Sequence, residues 1–218
     1  MRLGILASHR GSGLRALIAA IGAGTLAAEI RLVISNNADA PALDLARAHG
    51  IATRHLSATS AGGPDEADRA IADAFAAHDV ELVVLAGYLR KLGPRTLARH
   101  PGRILNLHPS LLPRHGGRGM FGRHVHAAVL ASGDRTSGAT VHIVDAEYDH
   151  GPALAQATVP VLPDDTVETL TARVQAIEPD LLASTLRRIA DGSLTLPAQP
   201  AGAAASKSSS ARTGASSS

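Results

Sequence analysis

Residues 2–22 read RLGILASHRGSGLRALIAAIG. An apolar run over 2–7 gives way to Ser8-His9-Arg10-Gly11-Ser12-Gly13, after which Leu14, Leu17, Ile18 and Ile21 recur at helical spacing. A short strand, a glycine-rich turn and an amphipathic helix make one βα unit. The alternation continues outward from it. Strand-like runs lie at 30–35, 51–55, 81–86 and 103–107, with helical patterns between them at Leu43, Leu45 and Ala46 and from Ala67 to Ala77. Repeated units of this kind predict an α/β fold, Rossmann-like and three-layered, with a mostly parallel sheet and helices on both faces.

Beyond residue 108 the pattern changes. A glycine-rich loop, GGRGMFG at 116–122, precedes a helical pattern near 123–132 and two strand-like runs at 138–145 and 153–161. A long helix is expected from Asp165, with Asp165 and Glu168 at capping-box spacing. Val167, Leu170, Val174 and Ile177 continue it, Pro179 is expected to kink it, and Gly192 to end it. Residues 1–195 read as one domain. Residues 196–218 hold Ala, Ser, Gly and Pro with almost nothing to bury and read as a disordered tail.

Of 218 residues, 21 are Lys or Arg and 19 are Asp or Glu, and Lys207 and Arg212 in the tail account for the whole excess. The rest is formally neutral, so no nucleic-acid footprint is visible and an anionic ligand must be met by a local site. The absence of cysteine removes disulfides, thiolate catalysis and Cys-type zinc sites. No apolar run approaches the ~18 residues a membrane span needs. The first apolar stretch is too short for a secretory signal, and a cytoplasmic protein is expected. Eleven histidines include His124 and His126, with His115 nearby. Residues two apart on a helix face different ways and no HExxH pattern is present, so no metal site is expected.

Three stretches could carry chemistry. In Ser8 to Gly13, glycines permit a tight turn and the following helix N-terminus lends partial positive charge to an anion. His9 stands where a dinucleotide loop has its first glycine, and no Gly-Lys-Ser/Thr follows. The loop therefore suits a single phosphate, or is a plain βα turn. At 104–109, ILNLHP, period-two geometry puts Asn106 and His108 on one side of a strand that Pro109 ends. The C-terminal end of a strand is where open α/β sheets bind ligands. An amide there can stabilise an oxyanion while an imidazole transfers a proton; a polar strand cap is the alternative. Asp149, in Tyr148-Asp149-His150-Gly151, lies in a turn between the late strands. A turn folded over the strand ends would let its carboxylate align an imidazole and favour the charged form; otherwise it is an Asx turn.

Together these stretches resemble the folate-dependent formyltransferases, in the branch that acts on glycinamide ribonucleotide. The resemblance runs from Met1 to about Gly192 and rests on ILASHRGSG, VISNNADAPALDLA, VVLAGYLRKLGP, ILNLHPSLLP, GATVHIVDAEYDHGPALAQ and TARVQAIE, in that order. It implies transfer of the formyl group of 10-formyltetrahydrofolate to the amine of 5-phosphoribosylglycinamide in de novo purine biosynthesis, without a metal. It implies catalytic roles for Asn106, His108 and Asp149, and phosphate or ribose contacts for Gly11, Ser12, Gly13 and Glu178. Leu89, Arg90, Leu92 and Val144 correspond to the folate-pocket wall. The half before about residue 100 would then hold the phosphate, and the half over 101–195 the folate and the chemistry. The expected partners are small-molecule substrates, with neither nucleic acid nor membrane, and the chain could act as a homodimer.

Gly13 stands where the family usually has Asn, and Arg10 is the nearest side chain that could replace the lost contact. Pro64 and Asp65 occupy the place of a common Arg near the folate tail. Three other readings compete. A methionyl-tRNA formyltransferase needs a further basic C-terminal domain, and a formyltetrahydrofolate hydrolase usually carries an N-terminal regulatory domain. A silent folate- or nucleotide-binding module would lack one of Asn106, His108 and Asp149.

Overall fold

The run at 2–6 forms a strand, β1 (Arg2–Leu6), that is buried on both faces in the computed structural model, which describes residues 1–198. The expected tail lies outside the described residues from residue 199 onward. After β1 come α1 (Ser12–Gly22), β2 (Glu29–Ser35), α2 (Pro41–Ala48), β3 (Thr53–His55), α3 (Ala58–Ala61) and α4 (Pro64–Ala77). Then follow β4 (Leu82–Leu85), α5 (Pro94–Arg99), β5 (Ile104–His108), α6 (Arg123–Ala131), β6 (Thr136–Ile143), β7 (Ala153–Pro160) and α7 (Val167–Ala190). The seven strands form one sheet in the order β3-β2-β1-β4-β5-β6-β7. β1 to β5 run parallel, and β6 and β7 add on antiparallel. The expected α/β architecture is what forms.

Alternation along the strands divides the core into two. Leu3 and Ile5 of β1, Leu82 and Val84 of β4 and Leu105 of β5 pack with Leu14, Leu17, Leu43 and Leu182 from α1, α2 and α7. Leu6, Val83, Leu85 and Ile104 pack on the opposite face with Ile71 and Phe75 of α4. Strands covered on both faces read as unbroken apolar runs, which is why the first half was so legible. Gly4 lets α4 come close, since a Cβ there would lie 2.5 Å from the Phe75 ring.

Some boundaries differ from expectation. The predicted strand at 51–55 keeps only Thr53–His55, and α3 and α5 have no counterpart in the sequence reading. α7 is capped not by Asp165 and Glu168 but by a box of Thr166 and Thr169. Both acids are engaged elsewhere: Asp165 accepts from the Leu162 amide and from both terminal nitrogens of Arg173, and Glu168 pairs with Arg123. α7 then runs on through Pro179 to Ala190 as one helix.

The connectivity also locates the crevice. From β1 the chain winds outward through β2 and β3, then returns on the other side of β1 as β4. The connections leaving β1 and β4 diverge, and in open sheets the gap between them at the carboxyl ends takes the ligand. Among the described residues, no helix is long and apolar enough to cross a membrane.

Candidate active site

A cleft of about 1080 Å³ opens at that gap, and every residue singled out for a site role lines it. Gly11, Ser12 and Gly13 come from the turn after β1, and Leu89, Arg90 and Leu92 from the loop after β4. Asn106 and His108 end β5, Val144 and Asp149 belong to the β6–β7 connection, and Glu178 reaches in from α7. Pro64 and Asp65 do not line it.

His108 is buried at 3 % exposure, and its two ring nitrogens have different neighbours. Nε2 lies 2.9 Å from the His115 carbonyl, which can only accept, so Nε2 carries a proton. Nδ1 lies 3.4 Å from Asp149 Oδ2. Asp149 adopts a left-handed backbone, φ 54°, and its Oδ2 also accepts from the Gly117 amide at 3.0 Å. Burial alone would raise the Asp149 carboxyl. The His108 and His142 rings and the Gly117 amide outweigh it and hold the group well below the usual carboxylate range. Asp149 is therefore ionised at neutral pH.

Asn106 sits directly opposite His142 across the antiparallel β5–β6 pair. Its Nδ2 is 3.0 Å from His142 Nε2, while His142 Nδ1 donates to the Ile143 carbonyl at 3.0 Å. The Ile143 carbonyl can only accept, so Nδ1 carries a proton, and Nε2 faces both Asn106 Nδ2 and, at 3.6 Å, Asp149 Oδ1. The sequence reading assigns no role to His142, although it lies within the quoted stretch GATVHIVDAEYDHGPALAQ. Its alternation in a strand gave no sign of function.

At the other end of the cleft, α1 begins without a side-chain cap and with no acid in its first turn, on a left-handed Gly11 (φ 67°). Its first amides are thus open to an anion, and Arg10 lines the cleft beside them. A Cβ at Gly13 would point at Leu182 Cδ2 and Ala86 Cβ, 3.1 and 3.2 Å away. Position 13 therefore packs α1 against its neighbours and can reach an anion through its backbone alone. Ser8 Oγ donates to Asn36 Oδ1 at 2.6 Å and accepts from the Leu89 amide at 2.9 Å, tying together the loops that follow β1, β2 and β4.

Two other titratable groups in the cleft are shifted by burial. Glu178 is pushed up, against the opposing effect of His108 nearby. Tyr88 is pushed up to about 12, chiefly by burial, with Arg90 opposing and Asp68 assisting, so it remains a neutral phenol. Among the described residues, no group of three or more His, Cys, Asp or Glu side chains could hold a metal ion, and the histidines at 115, 124 and 126 do not form one. The arrangement offers two N–H donors near a buried carboxylate, an open helix N-terminus at one end, and an apolar wall at the other.

Comparison with known proteins supplies the rest. The family profile described as formyl transferase matches residues 1–186. The chain is 38 % identical over 196 residues to phosphoribosylglycinamide formyltransferase of Escherichia coli, covering 90 % of each chain. It is 40 % identical over 195 residues to the protein of that name from Mycobacterium tuberculosis, covering 89 % of this chain and 87 % of that one. The crystal structure of glycinamide ribonucleotide transformylase 1 from Symbiobacterium toebii superposes with a TM-score of 0.84 at 37 % identity, covering 90 % of this chain and 91 % of the other.

Proposed function

The chain belongs to the formyl transferase family, and from that premise we infer that its cleft passes the formyl group of 10-formyltetrahydrofolate to the amine of 5-phosphoribosylglycinamide. The products are formylglycinamide ribonucleotide and tetrahydrofolate, in de novo purine biosynthesis. What carries the reading is one convergence: Asn106, His108 and an ionised Asp149 meet in a crevice that also holds the uncapped start of α1. We take the setting to be cytoplasmic.

The phosphate of the nucleotide lies on the amides of Gly11, Ser12 and Gly13, with Arg10 adding charge and Glu178 meeting the ribose hydroxyls. The folate lies along Leu89, Arg90, Leu92 and Val144. The amine nitrogen bonds to the formyl carbon, the bond from that carbon to folate N10 breaks, and one proton passes from the amine to N10. In the tetrahedral intermediate, Asn106 Nδ2 and a protonated His108 donate to the oxyanion. His108 Nε2 is committed to the His115 carbonyl, so Nδ1 is the nitrogen that serves the reacting atoms. Proton transfer to N10 runs through it, with a bound water completing the path. Asp149 balances the imidazolium charge and keeps the ring aligned. A deprotonated primary amine is already a competent nucleophile, so these side chains cover the charges that develop.

A paired assay tests this. Purified protein is given 10-formyltetrahydrofolate with or without phosphoribosylglycinamide, and deformylated folate is followed. Release only with the nucleotide is expected; release without it would mean that water is the acceptor, and no release at all would overturn the enzyme reading. In the same assay, His108→Ala should lower kcat about 10² to 10⁴-fold with the fold intact. Near-normal turnover in that variant would remove His108 from the chemistry.

A further inference from the structure

The carbonyl that holds His108 belongs to a residue in an unusual state. His115 has φ 54°, left-handed and uncommon for a side chain of this size. Its peptide oxygen accepts from His108 Nε2 at 2.9 Å, and the Ser110 hydroxyl, 3.4 Å away, adds a weaker contact. Two residues on, the Gly117 amide donates to Asp149. Residues 115–117 thus touch both members of the His108–Asp149 pair from one short stretch of backbone.

A second pair engages the His115 side chain, beside a bond from the Ser110 hydroxyl to the Arg114 carbonyl at 2.7 Å. His115 Nε2 lies 2.7 Å from Asp134 Oδ2, just before β6, with side-chain exposures of only 15 % and 13 %. Packing does little to replace it, because a cavity of about 200 Å³ lies against His115, Asp134 and Leu111. Arg114 also pairs with Asp134, but its own side chain is 63 % exposed. We propose that His115 and Asp134 are positioning residues: their bond holds the 115–117 backbone, which orients the His108 ring through a carbonyl and the Asp149 carboxylate through an amide. The strained backbone at His115 is the conformation that the tie maintains. The Asp134 carboxyl is accordingly lowered, first by the hydrogen bond from His115.

The inference rests on formyl transfer being the reaction, and its test separates the two. kcat and KM for both substrates are measured in the wild type, Asp134→Ala, His115→Asn and the double variant, together with the pH profile of kcat. Asn is chosen because it tolerates a left-handed backbone. The NMR resonances of the His108 ring nitrogens, identified by their loss in His108→Gln, are recorded without substrate. Each single variant should lower kcat about tenfold with both KM values within about twofold, as expected for misplaced reacting groups. The double variant should be no worse than the poorer single one. The Nε2–H resonance of His108 should move in both, and the pH profile with it. Asp149 from the β6–β7 connection, Glu178 from α7 and His126 from α6 interact electrostatically with His108, and none is altered. Arg114→Ala, which leaves the tie in place, should keep the normal kcat. Normal kcat in folded Asp134→Ala, or a lower kcat with unmoved His108 resonances, would overturn the proposal; if that variant does not fold, His115→Asn decides by the same readouts. An inactive wild type would instead count against the reaction itself, while the resonances still report on the tie.

Discussion

Neither ring nitrogen of His100 meets a partner among the described residues, and the residue is 5 % exposed against Phe75, ring centroids 5.8 Å apart. Burial first, and the Arg99 charge second, lower its pKa from 6.5 to about 4. Below pH 6.5 the unfolded chain takes up a proton here that the folded chain refuses until about pH 4. Stability from this group is therefore complete above that window and is lost as pH falls through it. The full loss is about 3 kcal/mol. Urea denaturation at about pH 7 and about pH 4.5 should show that His100→Phe loses about 2 to 3 kcal/mol less stability on acidification than the wild type. Equal losses would place the acid sensitivity elsewhere. At this scale, Asn106 and His108 are legible because one strand carries both and its period settles their side. Asp149 is legible only as a candidate, since a distant turn has to fold over them. His142, His115 and Asp134 are not legible. Each acts through a partner set by the pairing of two segments, such as Asn106 opposite His142, or by a backbone carbonyl that no residue type announces.

Six residues are too few for α5 to stand on its own propensity. Its cap comes from another helix. Asp68, buried on α4, accepts from the amides of Arg95 and Thr96 at 2.7 and 3.0 Å and from the Thr96 hydroxyl at 2.6 Å. Gly93 makes room, since a Cβ there would lie 2.3 Å from the Asp68 carboxyl carbon. Asp68→Ala strands these donors in the interior and should cost about 2 to 3 kcal/mol in denaturant unfolding, with faster hydrogen exchange at the Arg95 and Thr96 amides. A cost below about 0.5 kcal/mol would mean that water replaces the carboxylate. An acceptor this remote in sequence explains why no local pattern marks α5. α7 shows the converse: its apolar period is plain in the sequence, but Thr166 and Thr169 cap it because arginines claim Asp165 and Glu168.

The α/β class and the parallel first half follow from repeated βα units that any window along the chain displays. The strand order does not, because the return of β4 to the far side of β1 depends on long-range pairing. Since the cleft draws on both halves of the chain, nucleotide bound there should stabilise the whole sheet. At 100 times its Kd a ligand adds about 2.7 kcal/mol, or roughly 5 to 10 °C in Tm for a domain of this size. Calorimetry should find that shift for phosphoribosylglycinamide in His108→Ala as well as in the wild type. A shift confined to the wild type would show that His108 serves binding rather than turnover. The central place of β1 has one more consequence, at the ribosome. Leu3 pairs on one side with Ile30 and on the other with Leu82, about 80 residues later in synthesis. At about 5 to 20 residues per second, that partner arrives some 4 to 16 seconds after β1 emerges. Until then the middle of the future sheet is an open, apolar edge, the kind that pairs with a neighbouring chain. The strand made first is the one that must wait longest unprotected.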